Sequence, residues 1–174
     1  MAVVTRLSRQ RRMQDFFNLP YSKYVLIGKN TAWTDDNNPP APTGLETSLD
    51  GLIGAKLISN QWYVKALTSP TQEERDAAVY FKGTYYYKTQ DPAEAVSNGC
   101  TSIIIEAVLD RDELPLLTYR QVGLQVKVNS NATVMTGEQF NALADLGTLE
   151  VIDNRKPQTR AEDQEEQIKF LIMF

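Results

Sequence analysis

The final stretch of the chain restricts its folding options more than any other. After the acidic, breaker-free run Glu162-Asp163-Gln164-Glu165-Glu166 come Gln167-Ile168-Lys169-Phe170-Leu171-Ile172-Met173-Phe174, apolar to the last residue. Alternation places Ile168, Phe170, Ile172 and Phe174 on one face and Leu171 and Met173 on the other. Chain ends ordinarily fray because little ties them down. An end this apolar must pair into a sheet, in its own subunit or a neighbour's, or remain an adhesive edge. The expectation is a sheet protein built for contacts.

Composition narrows what such a protein can do. At 174 residues the chain is one domain, or one with appendages, and its 42% hydrophobic content rules out wholesale disorder. A net charge of −4 argues against a nucleic-acid partner recruited by overall charge. No apolar run approaches the ~20 residues of a membrane span, so no membrane insertion is expected. Leu7 to Asp15 is too polar for a secretory leader. The single cysteine, Cys100, excludes an intramolecular disulfide and suits a reducing compartment. There is no histidine, which removes the commonest general base, the Ser-His and Cys-His pairs and most zinc sites. The expectation is a protein that is not an enzyme and holds no cofactor or metal.

Local signals divide the chain into a helical arm (1–20), a β-rich core (21–152) and a linker with the terminal strand (153–174). Residues 5–17 read as a basic amphipathic helix, with Leu7, Met13, Phe16 and Phe17 as a partial apolar stripe and Arg6, Arg9, Arg11 and Arg12 around it. Lys23 to Ile27 is a short buried strand. Residues 31–44, with Trp33, Pro39, Pro40 and Pro42, form a loop by composition. Residues 46–58 are ambiguous, since Leu49, Leu52, Ile53 and Leu57 have helical spacing interrupted by two glycines. Gln61 to Leu67 and Ala78 to Lys88 are aromatic strands joined by a polar connection from Ser69 to Arg75. Asp91-Pro92-Ala93-Glu94 starts a short helix, with Asp91 as cap and Glu94 reaching back. Thr101 to Leu109 and Tyr119 to Val128 are strands, the second alternating. Thr136 with Gln139 opens a last helix, Leu149 to Ile152 is a short strand, and Asp153 to Arg160 a polar linker. The order is not a βαβ alternation. It gives an α+β, mainly β fold, with an antiparallel or mixed sheet, an N-terminal helix and two or three short helices.

Several constellations have both a chemical and a plain reading. Asp110, Asp112 and Glu113, or Asp35 and Asp36 with two asparagines, could offer oxygen ligands to a hard cation. Neither has a calcium loop's glycine and closing glutamate, and surface turns favour the same residues. The four arginines could meet phosphate or an acidic partner surface; the plain alternative is a solvated helix face. Cys100, with no histidine to activate it, reads as a buried thiol. Tyr80, Phe81, Tyr85, Tyr86, Tyr87, Trp62 and Tyr63 could stack sugars or bases, but such rings more often divide between a core and an oligomeric interface.

Three stretches taken in order look familiar: Tyr24 to Pro42, with its strand, Gly28, Trp33 and prolines; Leu109 to Pro115 with Tyr119 to Leu124; and Glu150-Val151-Ile152-Asp153-Asn154-Arg155-Lys156-Pro157 leading to the terminal strand. The pattern resembles the baseplate wedge subunits of contractile-tailed bacteriophages, the type encoded by gene eight of the large tailed coliphages, of which this chain would be a short member. The resemblance implies a structural, mostly β subunit of the virion's tail baseplate, assembled in the host cytoplasm against other wedge and tail proteins. It offers no catalytic residues to transfer.

The residues expected to touch partners, or a second copy of the chain, are Arg6, Arg9, Arg11, Arg12, Trp33, Pro39, Pro40, Phe170, Ile172 and Phe174. Two other functions remain open at this stage. A receptor- or glycan-binding module would use the Tyr80 to Tyr87 aromatics. A small metal-dependent enzyme would need Asp35, Asp36, Asp110, Asp112 and Glu113 to converge in one cleft.

Overall fold

The computed structural model describes residues 3–174, so the first two positions of the expected helical arm lie outside the described residues. In chain order the elements are α1 (Arg6–Phe17), β1 (Ser22–Gly28), β2 (Leu52–Leu57), β3 (Asn60–Ala66), α2 (Gln72–Ala77), β4 (Val79–Phe81) and β5 (Thr84–Thr89). Then follow α3 (Pro92–Asn98), β6 (Ser102–Leu109), β7 (Thr118–Val128), β8 (Val134–Thr136), α4 (Gly137–Asn141), β9 (Thr148–Thr159) and β10 (Glu166–Met173). The strands form two five-stranded sheets, ordered β8-β2-β1-β7-β9 and β10-β6-β3-β5-β4. This is the mainly β, antiparallel fold with an N-terminal helix and a few short helices that the sequence leads one to expect.

The chain divides into two compact units assembled from interleaved segments. One takes in the residues up to Leu19, Asn60–Glu106 and Lys169–Phe174; the other is Pro20–Ser59 with Ala107–Ile168.

In the first unit, β3 lies between β5 and β6, with Tyr63 opposite both Thr89 and Ile103. Val64, Val79 and Ile104 form a buried cluster, covered by Trp62, Phe81, Tyr86 and Leu171. The helix α1 contributes Met13, fully buried, and Phe17, whose ring stacks on Tyr63 at 4.0 Å. Phe16 meets Phe174 at 5.6 Å. Only this narrow side of α1 packs on the unit, so local packing rather than broad amphipathicity holds the helix.

In the second unit, β1 is central, paired antiparallel with β2 and β7. Tyr24, Leu26, Leu49, Ala55, Val128, Met135 and Phe140 form its core cluster. Tyr24 sets its ring edge-on to Phe140 at 5.9 Å, and its hydroxyl donates to the Ala132 carbonyl at 2.7 Å. A buried phenol thus keeps its hydrogen bond while its ring fills the core. The Thr136–Gln139 capping box starts α4 as expected.

Several local expectations give way to longer-range forces. The helical spacing over residues 46–58 yields β2 instead: Gly51 sits at φ +55°, which breaks a helix, and the following residues pair with β1. The supposed polar connection from Ser69 to Arg75 holds the start of α2, which runs on to Ala77 and is opened by a full capping box in which Thr71 and Glu74 satisfy each other's amides. Strand β7 does not alternate between core and solvent, because Gln121 and Gln125 are buried along with its valines. Gln121 accepts from the Asp50 amide and donates to Asn154, and Gln125 donates to the Leu146 carbonyl, so burial leaves neither amide unmet. The polar linker expected at Asp153 to Arg160 is instead the second half of β9. Its Pro157 is tolerated because β9 lies at a sheet edge and its register against β7 shifts there. Glu94 does not reach back to its own cap; its carboxylate takes the hydroxyls of Tyr87 and Thr89.

Truncating Ile104 to Ala should cost about 2–5 kcal/mol in urea unfolding, because it empties the middle of a closed cluster. Thr71→Ala, which removes only the cap of an exposed helix, should cost about 0.5–2 kcal/mol.

Candidate assembly surfaces

Helix α1 is held from behind by side chains that reach the carbonyls of α3. Gln10 donates to the Val96 carbonyl at 3.1 Å and Gln14 to the Pro92 carbonyl at 3.3 Å. Arg6 also reaches Val96, at 3.4 Å. Carbonyls at a helix C-terminus lack intrahelical partners, so a guanidinium there is doubly suited. The site needs a glycine: Gly99 ends α3 at φ +75°, and a Cβ there would stand 2.5 Å from the Arg6 guanidinium. Arg6 is therefore partly committed within the chain.

The outer side of the same helix is free. Arg9, Arg11 and Arg12 are exposed, and among the described residues no ion pair engages them. Leu7, expected in the inward stripe, points out instead at 62% exposure, beside Val4 at 45%. The inward positions are taken by Gln10 and Met13, and Met13, six residues on, lies about 120° round the helix from Leu7, which turns Leu7 away. The face presented is apolar at its start and cationic along its length.

The terminal strand pairs within its own chain, where β10 lies beside β6 at the end of its sheet. Phe170 is buried, while Ile172 and Phe174 are half-buried. Of the apolar side chains on the strand it is Met173, at 77% exposure, that faces solvent.

In the second unit the Trp33 loop is tied down residue by residue. Trp33 donates its indole N–H to the Arg155 carbonyl at 3.0 Å, and Asn154 donates to the Pro40 carbonyl at 2.8 Å. Both bonds fall on β9, so the loop lies along that strand. Asp36 accepts the Trp33 amide at 2.9 Å and grips Arg120 through two bonds, at 2.7 and 2.8 Å. Arg120 continues to the Asn30 carbonyl, and the Lys29 ammonium lies 4.4 Å over the Trp33 ring while pairing with Asp50. The bidentate guanidinium holds the Asp36 carboxyl below its ordinary pKa, helped by the Trp33 amide. Trp33 and Pro39 are half-buried and Pro40 is exposed.

Three of the carboxylates weighed as metal ligands are used in other ways, Asp35 among them by accepting the Asn37 amide. Asp36 belongs to Arg120, and Glu113 pairs with the buried Lys56 while accepting the Asp110 amide. Arg160 then clamps the Asp110–Leu114 turn through the carbonyls of Asp110, Glu113 and Leu114. Leu114 sits at φ +61°, a conformation its side chain disfavours, and the Arg160 bond to its carbonyl offsets that cost. Among the described residues, no three His, Cys, Asp or Glu side chains come together to hold a metal ion. An open acidic cleft lined by Asp110, Arg111, Asp112, Asp163 and Glu165 remains. The aromatics divide: Tyr63 is buried and Tyr86 packs on the core, whereas Tyr80 is exposed against Tyr85 at 5.0 Å. Among the described residues, no helix is long and apolar enough to cross a membrane.

Sequence reasoning did not find Arg120, Asn154 or Gln10, which position these surfaces. Arg120 sits in a strand rich in apolar residues, and a charge in such a run is the signal that could have marked a buried pair.

The whole chain, residues 1–174, matches the family described as "Baseplate wedge 3 tail fiber network component". It is also similar to "Virion protein 3" of Enterococcus phage phiEF24C, with 29% identity over 173 residues that span 99% of this chain and 94% of the relative.

Because Asp36 has a lowered folded-state pKa, its bond to Arg120 is fully in place above the ordinary carboxylate pKa and is lost as pH falls through the folded value. In a Trp62→Phe background, Trp33 emission should stay constant down to the ordinary carboxylate range and shift red below it. Asp36→Asn should show the red-shifted emission at neutral pH.

Proposed function

This chain belongs to the family of baseplate wedge 3 tail fiber network components, and from that premise we propose that it serves as a wedge subunit whose work is to hold other baseplate and tail proteins in place. Family membership makes it a structural component of a bacteriophage baseplate and tail. The finer reading is that it acts by protein–protein contact alone, incorporated during assembly in the host cytoplasm.

One observation supports that reading above others: α1 is immobilised on its inner side, yet exposes Leu7, Arg9, Arg11 and Arg12 outside, with no ion pair to these arginines among the described residues. A rigid helix loses little conformational freedom on binding, and arginine with an apolar neighbour is a composition that interfaces favour. An acidic surface on a neighbouring tail protein is the natural counterpart, since opposite charge speeds encounter and sets orientation. The tethered Trp33–Pro40 loop and the terminal strand offer two further surfaces on the same subunit.

The test is a charge reversal of Arg9, Arg11 and Arg12 to glutamate in a phage that carries this chain, followed by mass spectrometry of purified tails. Arg6 is left alone because it also anchors the helix. The variant chain should melt as the wild type does, since among the described residues these arginines make no ion pairs, but should be depleted from tails by about tenfold or more. Equal incorporation of the variant, or absence of the wild-type chain from purified tails, would contradict the reading.

A further inference from the structure

The sheet edges are not equally protected, and the difference singles out one strand. An open edge presents unpaired N–H and C=O groups to any passing strand, and proteins guard against this with short strands, bulges, prolines or covering loops. Strands β4 and β8 are three residues each, too short to template much. Strand β9 is long, but Pro157 and register shifts interrupt it, and the Trp33 loop bonds to it at Arg155 and Asn154. Among the described residues, strand β10 shows none of these guards. It carries no proline, its Lys169 is drawn to Glu106 at 3.2 Å, and its outermost apolar side chain, Met173, is 77% exposed.

The direction of its free groups follows from two contacts. The Phe174 amide donates to the Thr101 carbonyl at 3.1 Å. Lys169 meets Glu106 at 3.2 Å, the same number of residues along each strand, as an unbroken antiparallel ladder would place them. Backbone groups alternate sides along a strand, so Phe174, Ile172 and Phe170 bond toward β6. Lys169, Leu171 and Met173 therefore turn their amides and carbonyls away from the sheet.

We infer that this edge is a self-pairing surface, on which β10 of a second copy adds antiparallel about a two-fold axis at Leu171. The inference rests on the assembly reading above and names one partner. The strand's sequence fits itself in that register. Leu171 stands opposite Leu171 of the second copy in a hydrogen-bonded pair, as the outward direction of its backbone requires. Phe170 stands opposite Ile172, and Lys169 opposite Met173, so no charge meets its like and apolar side chains meet on both faces. The interface is the same patch on both subunits and closes on itself, which joins two sheets into one continuous sheet and leaves α1 to other partners.

Analytical ultracentrifugation of the full chain tests this, with Met173→Lys as the principal variant. Met173→Lys sets an ammonium against Lys169 of the other copy at an exposed position, so the wild type should dimerise and the variant should dissociate about tenfold more readily, with the two melting alike at dilutions where both are monomeric. Two cysteine variants read the register: oxidised Leu171→Cys should form a covalent dimer, since hydrogen-bonded partners lie within disulfide reach, and Met173→Cys should not. A wild type that stays monomeric at high concentration overturns the inference, as does a dimer indifferent to Met173→Lys or one that cross-links through position 173 instead of 171. Failure here is separable from failure of the assembly reading. A monomer that still enters tails refutes only the self-pairing, and a dimer absent from tails refutes only the assembly role.

Discussion

An antiparallel sheet cannot end without leaving a row of backbone groups unpaired, and the treatment of those rows organises much of this molecule. Core burial alone would favour longer, more apolar strands, which make worse edges. Here the compromise differs strand by strand. β8 and β4 are cut short, and β9 is broken by Pro157 and covered by a loop that the Asp36–Arg120 pair holds in place. The loop that looks from composition like an interaction element thus has a structural duty first. Its tryptophan supplies a hydrogen bond to an edge carbonyl that no strand satisfies.

The same division between inward duty and outward availability runs through α1. Its inner side chains are polar as well as apolar: Gln10 and Gln14 meet the carbonyls of α3, and Met13, Phe16 and Phe17 supply the packing. A helix fastened by hydrogen bonds to another element's backbone does not need a wide apolar stripe. That frees the outer face to carry a charge pattern for which the first unit itself has no partner. Arg6 marks the boundary, since it touches both Val96 and the space above Gly99.

How much of this could be read in the chain depends on how local the determining force is. The buried strand at Tyr24 to Ile27, the caps at Asp91 and Thr136, and the pairing of the apolar terminus rest on neighbouring residues, and the structure has them. Where a distant partner decides, the sequence misleads. Leu52 to Leu57 has helical spacing but pairs with β1; Asp153 to Thr159 is polar and contains a proline, yet extends β9 because β7 offers a ladder. The α2 helix is a different case, since its Thr71–Glu74 box is plain in the sequence and was hidden by the polarity around it. Arg120, Gln121 and Gln125 are polar groups in an apolar strand whose partners come from remote segments, so their roles surface only in three dimensions. The interleaved units have the same origin, because α1 packs with residues 60–106 far from it in sequence.

A subunit of this kind is defined by what covers it. The most direct measurement is an electron cryo-microscopy map of an intact phage tail carrying this chain, at a resolution that traces strands. The account predicts acidic side chains of a neighbour against Arg9, Arg11 and Arg12, and a strand hydrogen-bonded along the outer edge of β10. A map in which the outer face of α1 and the edge of β10 both lie open to solvent would contradict it.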